Sequence, residues 1–128
     1  MRKVRLYDET APVYHRRYRQ IQRIKYQAIT PLLVRGLIID VGVGTGIGLS
    51  SLKGFSPVVG VDGAIEMLRV AHKQIEGLGQ RTQVVSLVCA FAEALPFREC
   101  ITPTVVSITV IQNLTDIQQG VEELIRIA

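Results

Sequence analysis

A run of alternating glycines directly after an apolar segment constrains the fold of this chain more than any other feature. Leu37 to Val41 is apolar apart from Asp40, and glycine then occupies positions 42, 44, 46 and 48. Glycine adopts positive φ without a steric penalty and lets the backbone approach a ligand closely, at an entropic cost that a simple connector would avoid. The pattern therefore predicts a buried strand that ends in a ligand-binding loop.

Two classes of ligand are bound by a strand, a glycine-rich loop and a helix in this order: dinucleotides and S-adenosylmethionine. The dinucleotide fingerprint requires Gly or Ala at the sixth position, but this position holds Ile47 when counted from Gly42 and Leu49 when counted from Gly44. Asp40 would also place a negative charge near a pyrophosphate, whereas it would attract the ammonium and sulfonium of S-adenosylmethionine. The local chemistry therefore favours S-adenosylmethionine.

A second apolar segment, Val58 to Val61, also ends in an acid. This residue, Asp62, follows Gly42 by twenty positions. The spacing is typical of a carboxylate that accepts hydrogen bonds from the two hydroxyls of a ribose. Both ligand classes carry a ribose, so Asp62 indicates a nucleoside without choosing between them.

With these motifs in this order, the chain resembles the class I S-adenosylmethionine-dependent methyltransferases, in particular the type 11 branch that includes quinone-biosynthesis enzymes. Five segments carry the resemblance: Tyr7–Tyr14, Ile39–Gly46, Gly60–Leu68, Ala92–Phe97 and Val105–Asp116. It implies a Rossmann-like α/β fold, a parallel sheet of order 3-2-1-4 with helices on both faces, and S-adenosylmethionine as cofactor. The cofactor-binding residues it implies are Tyr14, Asp40, Gly42, Val43, Gly44, Thr45, Gly46, Asp62, Gly63, Met67, Phe91, Ala92 and Ile108.

The chain departs from this family at three places. It ends at Ala128, before the fifth strand and the closing hairpin of the full fold. Phe91 stands where the family usually has an Asp that accepts a hydrogen bond from adenine, and Phe can only stack on the base. Thr102-Pro103 replaces a Phe-Asp pair, and Pro is tolerated in a sheet only at the start or edge of a strand. Methyl transfer asks little of side chains and no general base is obvious in the sequence, so catalytic residues are not assigned.

Apolar periodicity predicts the elements of the fold. The predicted helices cover residues 16–29, 47–53, Ala64–Glu76 and the segment after Asp116, and the strands cover Leu37–Val41, Val58–Val61, Val84–Cys89 and Thr104–Ile111. In the first helix, the predicted apolar face comprises Ile21, Ile24, Ala28 and Ile29. Residues 1–30 are expected to form a lid and an amphipathic helix, and residues 31–128 the S-adenosylmethionine-binding domain.

Composition narrows the class of protein. Apolar runs are broken by charges well before the ~20 residues of a membrane span, and the charged start is unlike a signal peptide, so we expect a cytoplasmic chain that is not inserted in a membrane. Cys89 and Cys100 are expected to be free, buried thiols. Arg16, Arg19 and Arg23 can share one helix face and meet RNA phosphates or an anionic substrate, although such a stripe is more often simply solvated.

Two functions follow as hypotheses. The first is a methyltransferase acting on a small molecule or RNA, active as an oligomer or as part of a longer protein. The second is a module of methyltransferase ancestry that binds a nucleoside or S-adenosylmethionine without catalysis. The fourth strand would be an unprotected sheet edge, so we also expect a homodimer formed through strand 104–111 or helix 116–127.

Overall fold

The sheet contains four parallel strands in a computed structural model that describes residues 19–77, 83–108 and 114–128. The strands are β1 (Ile38–Val41), β2 (Val58–Asp62), β3 (Val85–Cys89) and β4 (Thr104–Val106). They pair in the order β3-β2-β1-β4. The predicted Rossmann-like order of 3-2-1-4 is confirmed. The expected division of the chain at residue 30 stays a prediction, because residues 1–18 lie outside the described part.

Three α-helices within the described residues accompany the strands and lie before β1, between β2 and β3, and after β4. They are α1, of which residues 19–29 are described, α2 (Ile65–Gly77) and α3 (Ile117–Ile127). Helix α1 passes at its end into a 3₁₀ turn, Thr30–Leu32, because Pro31 disfavours continuation of an α-helix. Asp116 caps α3 as expected, since its Oδ1 accepts a hydrogen bond from the Gln119 amide at 3.0 Å.

The segment after the glycine loop differs in type from the prediction. Ile47–Leu52 is a 3₁₀ helix and not the first turns of an α-helix. It is only six residues long and contains Gly48, which lowers the propensity for an α-helix.

Strand β4 is also shorter than predicted. It comprises Thr104–Val106, whereas the predicted strand extended to Ile111; residues 109–111 lie outside the described part. Its pairing with β1 ends at Asp40↔Val106. Ser107 and Ile108, the next two described residues, are not part of the strand, although β1 extends one residue beyond this last pair.

The central strand β1 is buried on both faces, as expected for a parallel sheet covered by helices. Ile38 belongs to one hydrophobic cluster, together with Leu52, Val58 and Leu68. Its neighbour Ile39 points into a second cluster on the other face, which contains Val41, Val61 and Ile127. The core therefore has two layers, one on each face of the sheet.

The face that α1 turns toward the core differs from the predicted one. Three of the four predicted apolar residues are exposed: Ile21, Ile24 and Ala28. Only Ile29 packs against the core, where it is half-buried. The buried residues are Gln22 and Tyr26, at 6% and 3% exposure. Contacts with the glycine loop therefore determine the rotation of this helix.

Helix α3 is fixed to the segment after β3 by polar contacts. Glu123 Oε1 accepts a hydrogen bond from the Leu95 amide at 2.8 Å, and Arg126 donates to the Leu95 and Phe97 carbonyl oxygens at 3.1 and 2.7 Å. Arg126 Nε also pairs with Glu123 Oε2. These contacts hold the loop that contains Phe91 against the domain.

Two further observations bear on the expectations from composition. Cys89 and Cys100 are free, as predicted, but both are exposed, because one ends the edge strand β3 and the other lies in the loop before β4. Within residues 19–77, 83–108 and 114–128, no helix is long and apolar enough to cross a membrane.

Candidate nucleoside-binding site

The glycine loop after β1 has the conformation that its sequence requires. Gly42, Gly44 and Gly46 have φ values of 87°, 59° and 83°, in the left-handed region that other residues rarely adopt. Gly48 is needed for a different reason, because a Cβ at this position would lie 2.1 Å from the Tyr26 ring. Three of the alternating glycines therefore shape the turn, and the fourth lets α1 approach it.

Asp62 joins this loop to the turn after β2. Its Oδ2 accepts a hydrogen bond from the Gly44 amide at 2.9 Å, and its Oδ1 accepts one from the Ala64 amide, also at 2.9 Å. The side chain is half-buried. The carboxylate therefore lies at the carboxyl end of β2, directly beside the glycine loop.

Asp40 lies beneath the loop and not beside it. The residue is completely buried; its Oδ2 accepts a hydrogen bond from Tyr26 Oη at 2.7 Å, and its Oδ1 has no hydrogen-bond partner among the described residues. Burial raises the pKa of Asp40 from 3.8 to about 7, the Tyr26 hydrogen bond opposes this rise, and the charge of Asp62 adds to it. The sequence predicts a negative charge beside the loop, whereas Asp40 lies buried beneath it with a raised pKa.

A small cavity of about 20 Å³ separates α1 from the glycine loop. Gln22 and Tyr26 line it on the helix side, and Ile108 closes it beyond β4. Sequence reasoning missed Gln22 and Tyr26 as site residues. Their spacing of four positions places them on one helix face, but a Gln and a Tyr among more apolar neighbours give no signal that this face is the buried one.

Phe91 and the Asp62–Gly63 turn lie on neighbouring chain segments. The Ala90 amide donates to the Asp62 carbonyl oxygen at 3.1 Å, and Cys89 Sγ lies 3.7 Å from the Gly63 carbonyl oxygen. Phe91 is 42% exposed, so part of this residue is accessible to solvent. The segment therefore offers an aromatic surface next to the predicted ribose acceptor.

The predicted site residues fall into three groups by burial. The buried ones, which shape the site from below, are Asp40, Val43, Thr45, Gly46, Met67 and Ala92. The half-buried ones are Gly42, Gly44, Asp62, Gly63 and Ile108, and Phe91 is exposed. Met67, one of the cofactor-binding residues that the resemblance implies, is only 3% exposed, because it lies on the core-facing side of α2. Tyr14 lies outside the described residues.

Solved structures share this arrangement of the fold. A candidate methyltransferase of Bacillus halodurans C-125 is 28% identical, with a TM-score of 0.70 over 81% of this chain and 45% of that chain. An S-adenosylmethionine-dependent methyltransferase of Thermotoga maritima is 22% identical, with a TM-score of 0.74 over 98% of this chain and 56% of that chain. The third structure is a Haloferax volcanii complex of the Trm112 methyltransferase activator with a candidate methyltransferase. The identity is 23%, and the TM-score is 0.74 over 94% of this chain and 54% of that chain.

The chain spans about half the length of these solved structures. A search of the curated proteins gives no match. The family model described as a methyltransferase domain matches residues 39–128, which include the glycine loop, Asp62, Phe91 and α3. Because this match covers well over half of the chain and the sheet has the corresponding order, the chain belongs to the methyltransferase domain family.

Proposed function

We propose that the protein is an S-adenosylmethionine-dependent methyltransferase. The observation that carries this proposal is the link between Asp62 and the glycine loop. This carboxylate accepts a hydrogen bond from the Gly44 amide and lies at the carboxyl end of β2. Ligands of open α/β sheets bind in the crevice outside the carboxyl ends of the strands. A ribose diol on Asp62 would lie in this crevice.

The residues around the loop fit the remainder of the cofactor. The buried Oδ1 of Asp40 lacks a partner among the described residues, and a cationic group close to it would favour the ionised carboxylate. The ammonium of S-adenosylmethionine is such a group. The exposed Phe91 residue offers a stacking surface for adenine, and Gly42 and Gly44 carry no side chains that would block a ligand.

Bound S-adenosylmethionine would supply an electrophilic methyl group on its sulfonium. The contribution of this chain is to bind and orient that group and to limit the access of water, since a displacement at a positioned methyl needs little help from side chains. We assign no general base. The methyl acceptor is a small molecule or RNA in this proposal.

Calorimetry with S-adenosylhomocysteine tests the proposal. We expect saturable binding to the full chain, and Asp62→Ala should weaken it by roughly 1 to 3 kcal/mol, the range for loss of a charged acceptor. Glu122→Ala removes an exposed carboxylate from α3 and serves as the matched control. Because Asp62 also holds Gly44, thermal unfolding of each variant must show that the fold is retained. Equal affinity of Asp62→Ala and the parent chain would refute the ribose assignment.

A binding module without catalysis is the second candidate. The observation that favours it is Phe91, whose ring can stack but cannot accept a hydrogen bond from the adenine amino group. This function predicts binding of S-adenosylhomocysteine without transfer of a radiolabelled methyl group to RNA or to a mixture of small-molecule acceptors. Transfer to any of these acceptors would exclude it.

We also propose that the protein forms a homodimer. Strand β4 is the edge of the described sheet beside β1, and α3 exposes Ile117 and Ile125 at 51% and 71%. A two-fold interface would let either surface contact its own copy.

A further inference from the structure

A cleft of about 190 Å³ lies on the side of the glycine loop that faces α2. It is bounded by α1, by the 3₁₀ segment Ile47–Leu52 and by α2, and Gly46 and Ile47 form part of its wall. Ile47 also lines the small cavity beneath Tyr26 and Gln22. The cleft is therefore adjacent to the candidate nucleoside site, with which it shares Gly46 of the glycine loop and Ile47.

The polar lining of the cleft is cationic. Arg19 and Arg23, one helical turn apart on α1, contribute two guanidinium groups, and Ser50 and Gln74 contribute a hydroxyl and an amide. None of the described lining residues is acidic. Among the ion pairs within the described ranges, none involves Arg19 or Arg23. Their charge is thus not neutralised by a carboxylate in this part of the chain.

The geometry of these groups suits a phosphoryl group. A guanidinium presents planar pairs of N–H donors that match phosphate oxygens, and a terminal phosphate carries a charge of about −1.5 to −2 with three acceptor oxygens. Ser50 Oγ donates to the Ile47 carbonyl oxygen at 3.3 Å, which is long for a hydroxyl hydrogen bond, so rotation toward a ligand sacrifices little. Leu49 and Ile75 form an apolar part of the wall, where charge interactions are screened less than in open solvent.

We propose that this cleft, formed by Arg19, Arg23, Ser50 and Gln74, is a binding site for the terminal phosphate of a small phosphorylated ligand. A concave site of this size with two cations fits one phosphate group better than an extended nucleic-acid backbone, which requires cations along a surface. Binding in the cleft does not depend on S-adenosylmethionine binding, so either proposal can fail alone.

Titration of the ¹⁵N-labelled full chain with inorganic phosphate, followed by NMR, tests the site. We expect saturable shifts confined to the amides of residues 46–50 and 74–75. Glycerol 3-phosphate should produce the same shifts and glycerol should produce none. Arg23→Gln should weaken phosphate binding by roughly tenfold, whereas Arg35→Gln, which removes an exposed cation outside the cleft, should leave it within about twofold.

Several results would overturn the proposal. One is the absence of saturable shifts at millimolar phosphate in the folded parent chain. Another is equal weakening by Arg23→Gln and Arg35→Gln, which would show a general effect of net charge. A third is tighter binding of an RNA oligonucleotide without a terminal phosphate, with a steep dependence on salt, which would assign α1 to a nucleic-acid surface. Far-ultraviolet circular dichroism of both variants establishes that they fold, and Ser50→Ala provides a second exposed probe of the cleft.

Discussion

Tyr26 donates a hydrogen bond of 2.7 Å to Asp40, and both residues are buried. The bond joins α1 to the carboxyl end of β1, at the position where the glycine loop begins. It is the one hydrogen bond that Asp40 receives from a described side chain, and it favours the ionised carboxylate. The position of α1 over the loop and the charge of Asp40 are therefore coupled.

Removal of this hydroxyl should weaken the fold. Tyr26→Phe keeps the ring against Gly48 but leaves both oxygens of Asp40 without a described partner, so the free energy of unfolding at neutral pH should fall by roughly 1 to 3 kcal/mol. Urea denaturation followed by circular dichroism measures this change. An unchanged denaturation midpoint and slope would show that the bond does not stabilise the folded chain.

Asp40 should make stability depend on pH. Folding raises the pKa of this carboxyl from its usual value of 3.8 to about 7. Between these values the unfolded chain loses the proton while the folded chain retains it, so the contribution of Asp40 to stability falls as the pH rises from about 4 to about 7 and is constant above that. Asp40→Asn cannot ionise. Its stability relative to the parent chain should rise across this window by a few kcal/mol.

Urea denaturation of both chains at half-unit pH intervals measures the difference. Parallel curves for Asp40→Asn and the parent chain would contradict the raised pKa. Ligand binding gives an independent readout, because a cationic group near Asp40 should favour loss of its proton. S-adenosylhomocysteine should therefore bind the parent chain more tightly at pH 8 than at pH 6.

Gly48 should not tolerate a larger residue. An added Cβ would lie 2.1 Å from the Tyr26 ring, so Gly48→Ala must displace α1 or the loop and should lower the free energy of unfolding by about 1 to 3 kcal/mol. Gly54→Ala is the matched control, since a Cβ at Gly54 meets no atom within 4 Å. Thermal unfolding of the two variants provides the comparison. Equal midpoints would mean that α1 does not pack here in solution.

Arg126 should stabilise the segment after β3. Arg126→Met removes the donors to the Leu95 and Phe97 carbonyl oxygens and leaves Glu123 without its ion pair. We expect a lower midpoint of thermal unfolding and faster hydrogen exchange at residues 91–97. Arg98→Met, at an exposed position whose guanidinium contacts only the adjacent Glu99 carbonyl oxygen among the described hydrogen bonds, should change neither.

The oligomeric state tests the proposed homodimer. Sedimentation velocity at micromolar concentration should show a dimer. Val106 is unsuitable for a disruptive Lys because it is buried in the core, so the test uses Ile125→Lys on the exposed face of α3. A monomeric Ile125→Lys variant would assign the interface to α3, and a dimeric one would assign it to the β4 edge. A monomeric parent chain would contradict the proposal.

The sequence by itself determined the elements that depend on local patterns. The apolar runs that contain Asp40 and precede Asp62 predicted the bounds of β1 and β2 to within one residue. Asp116 predicted the start of α3, and its side chain accepts the expected capping hydrogen bond. The glycine spacing also predicted the left-handed turn, because the preference for positive φ belongs to the residue and not to its surroundings.

Tertiary structure decided what depends on distant neighbours. The rotation of α1 follows from the contact of Tyr26 with Gly48, so the exposed face carries Ile21 and Ile24 against the prediction from periodicity. The observed pairing of β4 with β1 ends at Val106, which no pattern within residues 104–111 predicts. The pKa of Asp40 reflects complete burial beneath a helix that is distant in sequence. Burial, pairing and desolvation are properties of the assembled core, and local sequence does not contain them.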